Sequence, residues 1–294
     1  MILEVAKNIT EYTEMVSKYN SHQVNNWYRG MSKSSYSLEP SLFREKREIG
    51  IHYSGREING RQYRKSEAVM KSDLAAIDKF MNHYQNKFPD KSKDYNLIDF
   101  LYIMQHYDIP TRLLDFTKNP KIALYFSVSN ASEFEDWNSE DEIESFYESS
   151  GYSEEGSSIH IVNPKLINDN TNLFKNLKDD ILKIYSIDLD TLHNLTFPIC
   201  VKTDNQDARI ISQEGVFMLF GRDYKAIDEY EILHNDIVKI FIPRSCRYQI
   251  KKELKEQYNI SHITMYPDIK GIAIEIIEEI EAKYKRDCQS IFGK

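Results

Sequence analysis

The chain has 294 residues, of which 41% are hydrophobic and 29% charged, and its formal net charge at pH 7 is −8. This composition is typical of globular proteins and excludes disordered and collagen-like chains. No stretch approaches the roughly 18 apolar residues of a membrane span, and the three cysteines lack metal-ligand spacing. We therefore expect a cytoplasmic protein that has no membrane segment, no metal site and no disulfide framework.

The charge is distributed unevenly. Residues 132–156 hold ten acidic residues and no Lys or Arg, whereas residues 44–93 hold twelve basic and seven acidic residues. The acidic segment, which is also rich in serine, predicts a long surface loop or a partly disordered insertion. The basic segment fits either a solvated helical face or a nucleic-acid groove, although no recognised binding motif accompanies it.

The early part of the chain is predicted to be mainly helical. Apolar residues recur at helical spacing in three segments, residues 3–18, 66–84 and 97–107. The third of these helices has to end before Pro110. A short strand is predicted at 24–30, and a short helix over 120–129 is expected to begin with Pro120 after the candidate cap Asn119.

Strands are predicted mainly after the acidic segment. Residues rich in β-branched and aromatic side chains occupy three segments, 158–162, 208–220 and 236–242. Two closing helices are predicted over 245–257 and 272–285. Helices grouped early and strands grouped late favour an α+β fold, and the absence of repeats or linkers favours a single elaborated domain.

Three short segments mix core-forming residues with polar groups that are costly to bury unpaired: residues 27–30 (WYRG), 105–126 (QHYDIPTRLLDFTKNPKIALYF) and 209–217 (RIISQEGVF). Together with 38–44 and 265–273, these segments resemble the FRG domain, a family named for its aromatic-Arg-Gly motif. The resemblance covers roughly residues 20–275. We therefore divide the chain into an N-terminal helix over 1–20, the FRG-like domain over 20–275 with the acidic loop insertion 132–156, and a helical tail over 276–294.

The order of these motifs is also similar, more distantly, to that of ADP-ribosyltransferases of the Arg/Ser/Glu type. This resemblance implies a mixed β core and NAD as a substrate. Arg29 takes the place of the NAD-positioning arginine, Thr117 stands at the Ser-Thr-Ser strand, and Gln213 with Glu214 stands at the catalytic glutamate motif. The remaining candidate NAD-binding residues are Tyr28, Gly30, Arg112, Asp115 and Tyr125.

The chemistry of NAD cleavage gives these residues roles. Breaking the nicotinamide-ribose bond develops positive charge on the sugar, which a carboxylate such as that of Glu214 stabilises. The planar fork of Arg29 suits a pyrophosphate better than a lysine does, and Gly30 allows the backbone to approach a ligand. Thr117 is suited to orient the carboxylate, and one of the candidate tyrosines is suited to stack on nicotinamide.

Each assignment has a structural alternative. Arg29 and Arg112 are equally suited to ion pairs with Asp115, and the threonine is equally suited to a helix cap. Because side chains alternate along a strand, only one of Gln213 and Glu214 can face the site.

Two classes of function therefore stay open. The first is a bacterial ADP-ribosyltransferase or NAD glycohydrolase that acts as a toxin or antiviral defence effector, modifies a protein or nucleic acid, and is controlled by an antitoxin or regulatory partner. The second is a non-catalytic module that binds a ligand or nucleic acid. The enzyme hypothesis, which we favour, predicts that Arg29 and Glu214 converge on one cleft, whereas the binding hypothesis tolerates their separation.

Overall fold

A computed structural model of the protein describes residues 1–20, 25–46, 60–133, 138–170, 187–203, 207–223 and 225–292. The described residues form seven strands, Ile2–Val5 (β1), Trp27–Met31 (β2), Leu113–Thr117 (β3), Ser157–Val162 (β4), Ile199–Val201 (β5), Gly215–Leu219 (β6) and Val238–Ile242 (β7). They also form α-helices at Ile9–Tyr19 (α1), Ser41–Lys46 (α2), Gly60–Lys87 (α3), Pro89–Ser92 (α4), Leu97–His106 (α5), Pro120–Val128 (α6), Ser139–Glu148 (α7), Pro164–Asp169 (α8), Leu189–Asn194 (α9), Ala208–Ser212 (α10), Arg244–Tyr258 (α11), His262–Met265 (α12) and Ile269–Phe292 (α13).

The strands form one mixed sheet in the order β1-β7-β4-β2-β3-β6-β5. β1 and β7 are parallel, and the other neighbouring pairs are antiparallel. The protein is therefore a mixed α/β domain built on a seven-stranded sheet. The prediction that strands are grouped after the acidic segment is wrong for β1 and β3, which precede that segment.

The first strand stands where the beginning of a helix was predicted. The apolar spacing predicts one helix over 3–18, but the chain forms β1 and then α1, which starts at the N-cap Asn8. The side chain of Asn8 accepts a hydrogen bond from the backbone N of Glu11 at 2.9 Å. The prediction fails for the first turn because β1 exists through pairing with β7, a distant strand that local spacing does not reveal.

Most other predicted elements are confirmed. The predicted segments overlap α3, α5, α6, β4, β7, α11 and α13, and the longest helices, α3 and α13, extend several residues beyond their predicted ends. β2 begins within the predicted strand 24–30, of which residue 24 lies outside the described residues. Residues 47–59 of the basic segment also lie outside them. Within the described part, no helix combines the length and the hydropathy required to cross a membrane.

Capping residues fix the two helices that flank the middle of the sheet. At the start of α5, the side chain of Asn96 accepts hydrogen bonds from two backbone N atoms, and the carboxylate of Asp99 accepts one from Asn96 N, which completes a capping box. At the start of α6, the predicted cap Asn119 accepts a hydrogen bond from Lys121 N, and Pro120 occupies the first turn.

The acidic segment 132–156, of which residues 134–137 lie outside the described residues, is not the surface loop that its charge predicts, because it contains the helix α7. The ring of Phe146 is fully buried and stacks on Phe241 at a centroid distance of 4.5 Å. The carboxylate of Glu142 is buried and accepts a hydrogen bond from Arg244 N at 2.9 Å. Acidic residues in the first turn of a helix also favour its N-terminal dipole, so the high negative charge is compatible with a packed helix.

The two faces of the sheet are covered differently. On one face, a single core joins side chains from β2, β3, β4 and β6. On the other face, one core packs β2, β4 and β7 against α1, α6 and α11, and a separate core packs β3, β5 and β6 against α5. The two cores of this second face meet near the boundary between β2 and β3, and it is there that a cavity opens.

Candidate functional site

The cavity lies where β2 and β3 separate. Tyr28 pairs with Thr117, and this is the one ladder position between the two strands among the described residues. At the next residue of β2, the link to β3 is made by a side chain. Nη1 of Arg29 donates a hydrogen bond to the carbonyl oxygen of Asp115 at 2.6 Å. The resulting space is about 430 Å³. This volume lies within the usual range of small-molecule sites.

The cavity combines cationic and aromatic side chains. Its arginines are Arg29, Arg44 and Arg209, and its Phe and Tyr residues are Tyr28, Tyr36, Tyr102, Phe116, Phe126, Phe217 and Tyr266. The sequence-based candidates did not include Arg44, Tyr102, Phe126, Arg209 or Tyr266. Arg44, Arg209 and Tyr266 lay within segments singled out for their polar residues or for the family resemblance, which was the available signal.

The guanidinium of Arg29 has a hydrogen-bond donor that no described residue satisfies. Its side chain is 17% exposed, and its Nη1 lies 3.9 Å from Oδ2 of Asp115. Its Nε has no hydrogen-bond partner among the described residues. Burial lowers the pKa of Arg29 to about 10, an effect that the negative charge of Asp115 opposes. Arg29 thus remains a cation at neutral pH, with donors that its protein partners do not satisfy.

Asp115 supplies a carboxylate to the same cavity. Its side chain is 52% exposed. Nε2 of Gln105 donates to both carboxylate oxygens, at 2.7 and 2.6 Å, and Oε1 of Gln105 accepts a hydrogen bond from Thr111 at 2.9 Å. The chain from Thr111 through Gln105 therefore fixes the orientation of the carboxylate at the cavity wall.

Arg112 does not lie in the cavity, contrary to the sequence-based assignment. It is fully buried, and its Nε donates to Oδ2 of Asp73 on α3 at 2.6 Å. The alternative pairing of Arg112 with Asp115 is also wrong. An odd separation along an extended chain sends two side chains to opposite faces, so Arg112 and Asp115 point away from each other.

The predicted strand over 208–220 is wrong in its first part, and this decides the orientation of Gln213 and Glu214. The chain forms α10, and Glu214 then adopts a left-handed turn with φ of 46° before β6 begins. Gln213 lines the cavity, and its Nε2 donates to the carbonyl oxygen of Met265 at 2.9 Å. Glu214 is exposed and outside the cavity lining, where its Oε1 accepts a hydrogen bond from Asn119 at 2.8 Å.

Three further predicted residues divide between the cavity and the core. Tyr28 and Thr117 line the cavity. Thr117 is buried, and its Oγ1 accepts a hydrogen bond from Asn119 N at 3.0 Å. Tyr125 lies in the core behind the cavity, with its hydroxyl 2.7 Å from Nδ1 of His262. Neighbouring residues of a helix point about 100° apart, and it is Phe126 that faces the cavity.

Gly30 lines the cavity, but its lack of a side chain serves the packing of α6. A Cβ atom at this position would lie 1.9 Å from the carbonyl oxygen of Ala123 and 2.7 Å from the backbone N of Ser127. Any side chain would therefore push α6 away from β2. The glycine of the Tyr28-Arg29-Gly30 motif is required for helix-strand contact, and this requirement replaces the role of ligand approach that the sequence suggested.

Arg209 and several aromatic rings that contact one another form another wall of the cavity. The guanidinium of Arg209 lies 4.6 Å from the ring centroid of Tyr266, which also contacts Phe126 edge-on. The hydroxyl of Tyr102 donates to Asp207 at 2.9 Å, and its ring packs on Phe217. Arg209 and the rings on this wall are held by neighbouring residues and give the cavity an apolar surface with fixed positive charge.

A second cavity of about 220 Å³ adjoins the first. The two share four lining residues, Arg29, Arg44, Gln105 and Asp115. Arg29 and Asp115 therefore lie on the boundary between the two cavities. Within the described ranges, no group of three or more His, Cys, Asp or Glu residues is placed to hold a metal ion.

A family model for the FRG domain matches residues 24–136 of the chain. The match includes β2, α5, β3 and α6, the elements that carry Arg29, Gln105 and Asp115. No curated protein and no solved structure matches the chain. The likeness to ADP-ribosyltransferases consequently has no support beyond the order of the sequence motifs.

Proposed function

We propose that the cavity binds an anionic nucleotide and that NAD is such a ligand. The observation that carries this proposal is the presence of three arginines and seven Phe or Tyr residues in the lining of one cavity. Arginine forks form charge-assisted, often bidentate hydrogen bonds with phosphate oxygens, and aromatic rings stack on planar bases. Nucleotides combine phosphate groups with a planar base, and few other classes of small molecule do.

Arg29 is the residue we propose to contact the phosphates. It is mostly buried, which strengthens its electrostatic interactions, and it keeps unsatisfied donor capacity at the junction of the two cavities. The aromatic wall around Tyr266 would then receive the base or the nicotinamide ring. NAD carries its pyrophosphate between two such planar groups, which is why we name it as the first ligand to test.

The activity we propose is cleavage of the nicotinamide-ribose bond. Nicotinamide leaves with the bonding electrons, and an oxygen or nitrogen nucleophile of water or of a macromolecular acceptor attacks the sugar carbon and loses its proton. The carboxylate in the cavity is that of Asp115, so we now assign to Asp115 the stabilisation of the sugar cation that the sequence suggested for Glu214. A bacterial toxin or antiviral effector controlled by a partner protein is the cellular role that such chemistry suits.

A non-catalytic ligand-binding module is the second candidate. The observation that favours it is the position of Glu214, which lies exposed and outside the lining of the cavity that contains Arg29. The criterion set by the sequence was that Arg29 and Glu214 share a cleft, and a binding module does not need this arrangement. In this candidate the cavity still binds a nucleotide, but Asp115 only orients the ligand.

Calorimetric titration with NAD, ADP-ribose and nicotinamide, combined with chromatographic detection of released nicotinamide, tests both candidates. Binding of NAD with release of nicotinamide supports the enzyme. Binding of NAD or ADP-ribose without release supports the binding module. Absence of binding by all three compounds would contradict the proposal that the cavity accepts this class of nucleotide.

A further inference from the structure

The last helix of the protein carries a row of apolar side chains on its outward face. These side chains are Ile269, Ile272, Ile276, Ile277, Ile280 and Tyr284, and all are about half exposed or more. The spacings between successive members of the main row are three and four residues, which places them on one face of α13. Exposed apolar side chains are common singly, but a continuous row of this length marks an interaction surface.

The opposite face of α13 is attached to the body of the protein. Glu275 contacts Lys255 at 2.6 Å and Glu278 contacts Lys251 at 3.0 Å, both lysines lying on α11. A Cβ atom on Gly271 would lie 2.0 Å from the carbonyl oxygen of Tyr266, so the helix also approaches the backbone near α12 closely. These contacts hold the apolar row outward and explain why it stays uncovered by the rest of the described residues.

The charges beside the apolar row are arranged for pairing with a copy of itself. Glu279 and Lys283 are both exposed and lie four residues apart on the same flank of the row. In an antiparallel pair of identical helices, the same flank of each helix meets across the interface. A two-fold axis near residue 281 therefore brings Glu279 of each copy to Lys283 of the other, which forms two equivalent ion pairs.

We propose that α13 mediates formation of an antiparallel homodimer through its apolar row. Ile280 lies close to the two-fold axis, and Ile276 of one copy comes near Tyr284 of the other, so apolar side chains fill the centre while charges flank them. The surface contributed by one helix is smaller than that of an obligate dimer, and we expect dissociation in the micromolar range.

Sedimentation equilibrium of the full chain tests the dimer by exchanging the flanking charges. Glu279→Lys and Lys283→Glu should each weaken dimerisation about tenfold, because each variant faces like charges twice across the axis. An equimolar mixture of the two variants should regain the wild-type association. In the mixed dimer, one copy has lysine at positions 279 and 283 and the other has glutamate at both, so opposite charges face each other twice. The double variant Glu279→Lys/Lys283→Glu should behave like the wild type for the same reason.

One further variant is a control, and another tests the apolar row directly. Glu14→Lys makes the same change of charge at an exposed position of α1 and should leave association unchanged. Ile280→Glu should abolish the dimer while circular dichroism shows an unchanged fold, because the residue is exposed in the monomer. A wild-type chain that stays monomeric at about 200 μM would overturn the proposal, since it requires micromolar affinity. Failure of the mixed variants to regain association would overturn the antiparallel arrangement.

Discussion

Two arginines that lie close to the same strand have opposite environments. Arg112 is fully buried, and its Nε donates to a carboxylate oxygen of Asp73, a buried partner of opposite charge. Arg29 is partly exposed to a cavity, donates to a backbone carbonyl and faces a half-exposed carboxylate at 3.9 Å. The difference indicates that Arg112 serves the folded state, whereas Arg29 keeps donors for a ligand. Four substitutions test this distinction.

The largest effect is expected from Arg112→Ala. Removal of this guanidinium leaves the carboxylate of Asp73 buried without its charge partner, which should lower the free energy of unfolding by about 3–5 kcal/mol. Denaturant unfolding measures the change. Arg29→Ala is the matched control and should cost less than about 1 kcal/mol, because the side chain of its charge partner Asp115 is 52% exposed to solvent. Equal losses for the two variants would remove the distinction between them.

Asp115→Asn is expected to have the next largest effect, on activity rather than on stability. Loss of the carboxylate charge should reduce NAD cleavage about 100-fold if Asp115 stabilises the sugar cation. Glu214→Gln makes the same chemical change at an exposed position outside the cavity lining and should alter the rate less than about twofold. The reverse result, a large loss at Glu214 and none at Asp115, would return the catalytic role to Glu214.

Gly30→Ala tests whether Gly30 serves packing, in contrast to the ligand-binding role proposed for the adjacent Arg29. The added methyl group meets the backbone of α6, and overpacking of this kind costs about 1–3 kcal/mol of unfolding free energy. Thermal unfolding measures the cost, with Gly215→Ala as the control, because a Cβ atom there would have ordinary contacts of 3.5 Å or more. A stable Gly30→Ala protein with weakened ligand binding would instead restore the ligand-approach role of this glycine.

The smallest expected effect is that of Arg29→Lys. A lysine keeps the charge but loses the planar fork, so the affinity for NAD should fall about tenfold in calorimetric titrations while stability stays unchanged. Arg222→Lys makes the same substitution at an exposed arginine outside the cavity lining and should leave the affinity as it is. An unchanged affinity for Arg29→Lys would show that Arg29 makes no fork-like contact with the ligand.

The sequence predicted elements whose signals are local. The capping residue Asn119 and the proline after it located the start of α6, and the apolar runs located α5, β4 and β7. The failures involve distant partners. β1 depends on β7, and the helix α7 depends on the burial of Phe146 against Phe241. Local spacing and charge carry no information about either contact.

The same difference applies to the candidate site. Arg29, Tyr28, Thr117 and Gln213 were predicted as site residues because their types and order resemble a known pattern, and all four line one cavity. Arg112 was misplaced because its partner lies 39 positions earlier on another helix, at Asp73. Arg44 and Tyr266 reach the cavity from segments remote from the central motif, and tertiary packing alone brings them there.

The one paired position between β2 and β3 makes the middle of the described sheet its mechanically weakest line. The halves have separate cores on one face and share a core on the other, so we expect the backbone amides along this line to exchange with solvent faster than those in the middle of each half. A ligand that contacts both Arg29 and Asp115 crosses this line. Binding of such a ligand would link the two halves of the sheet and slow amide exchange in both. The amide exchange rate of the sheet would therefore report whether the cavity is occupied.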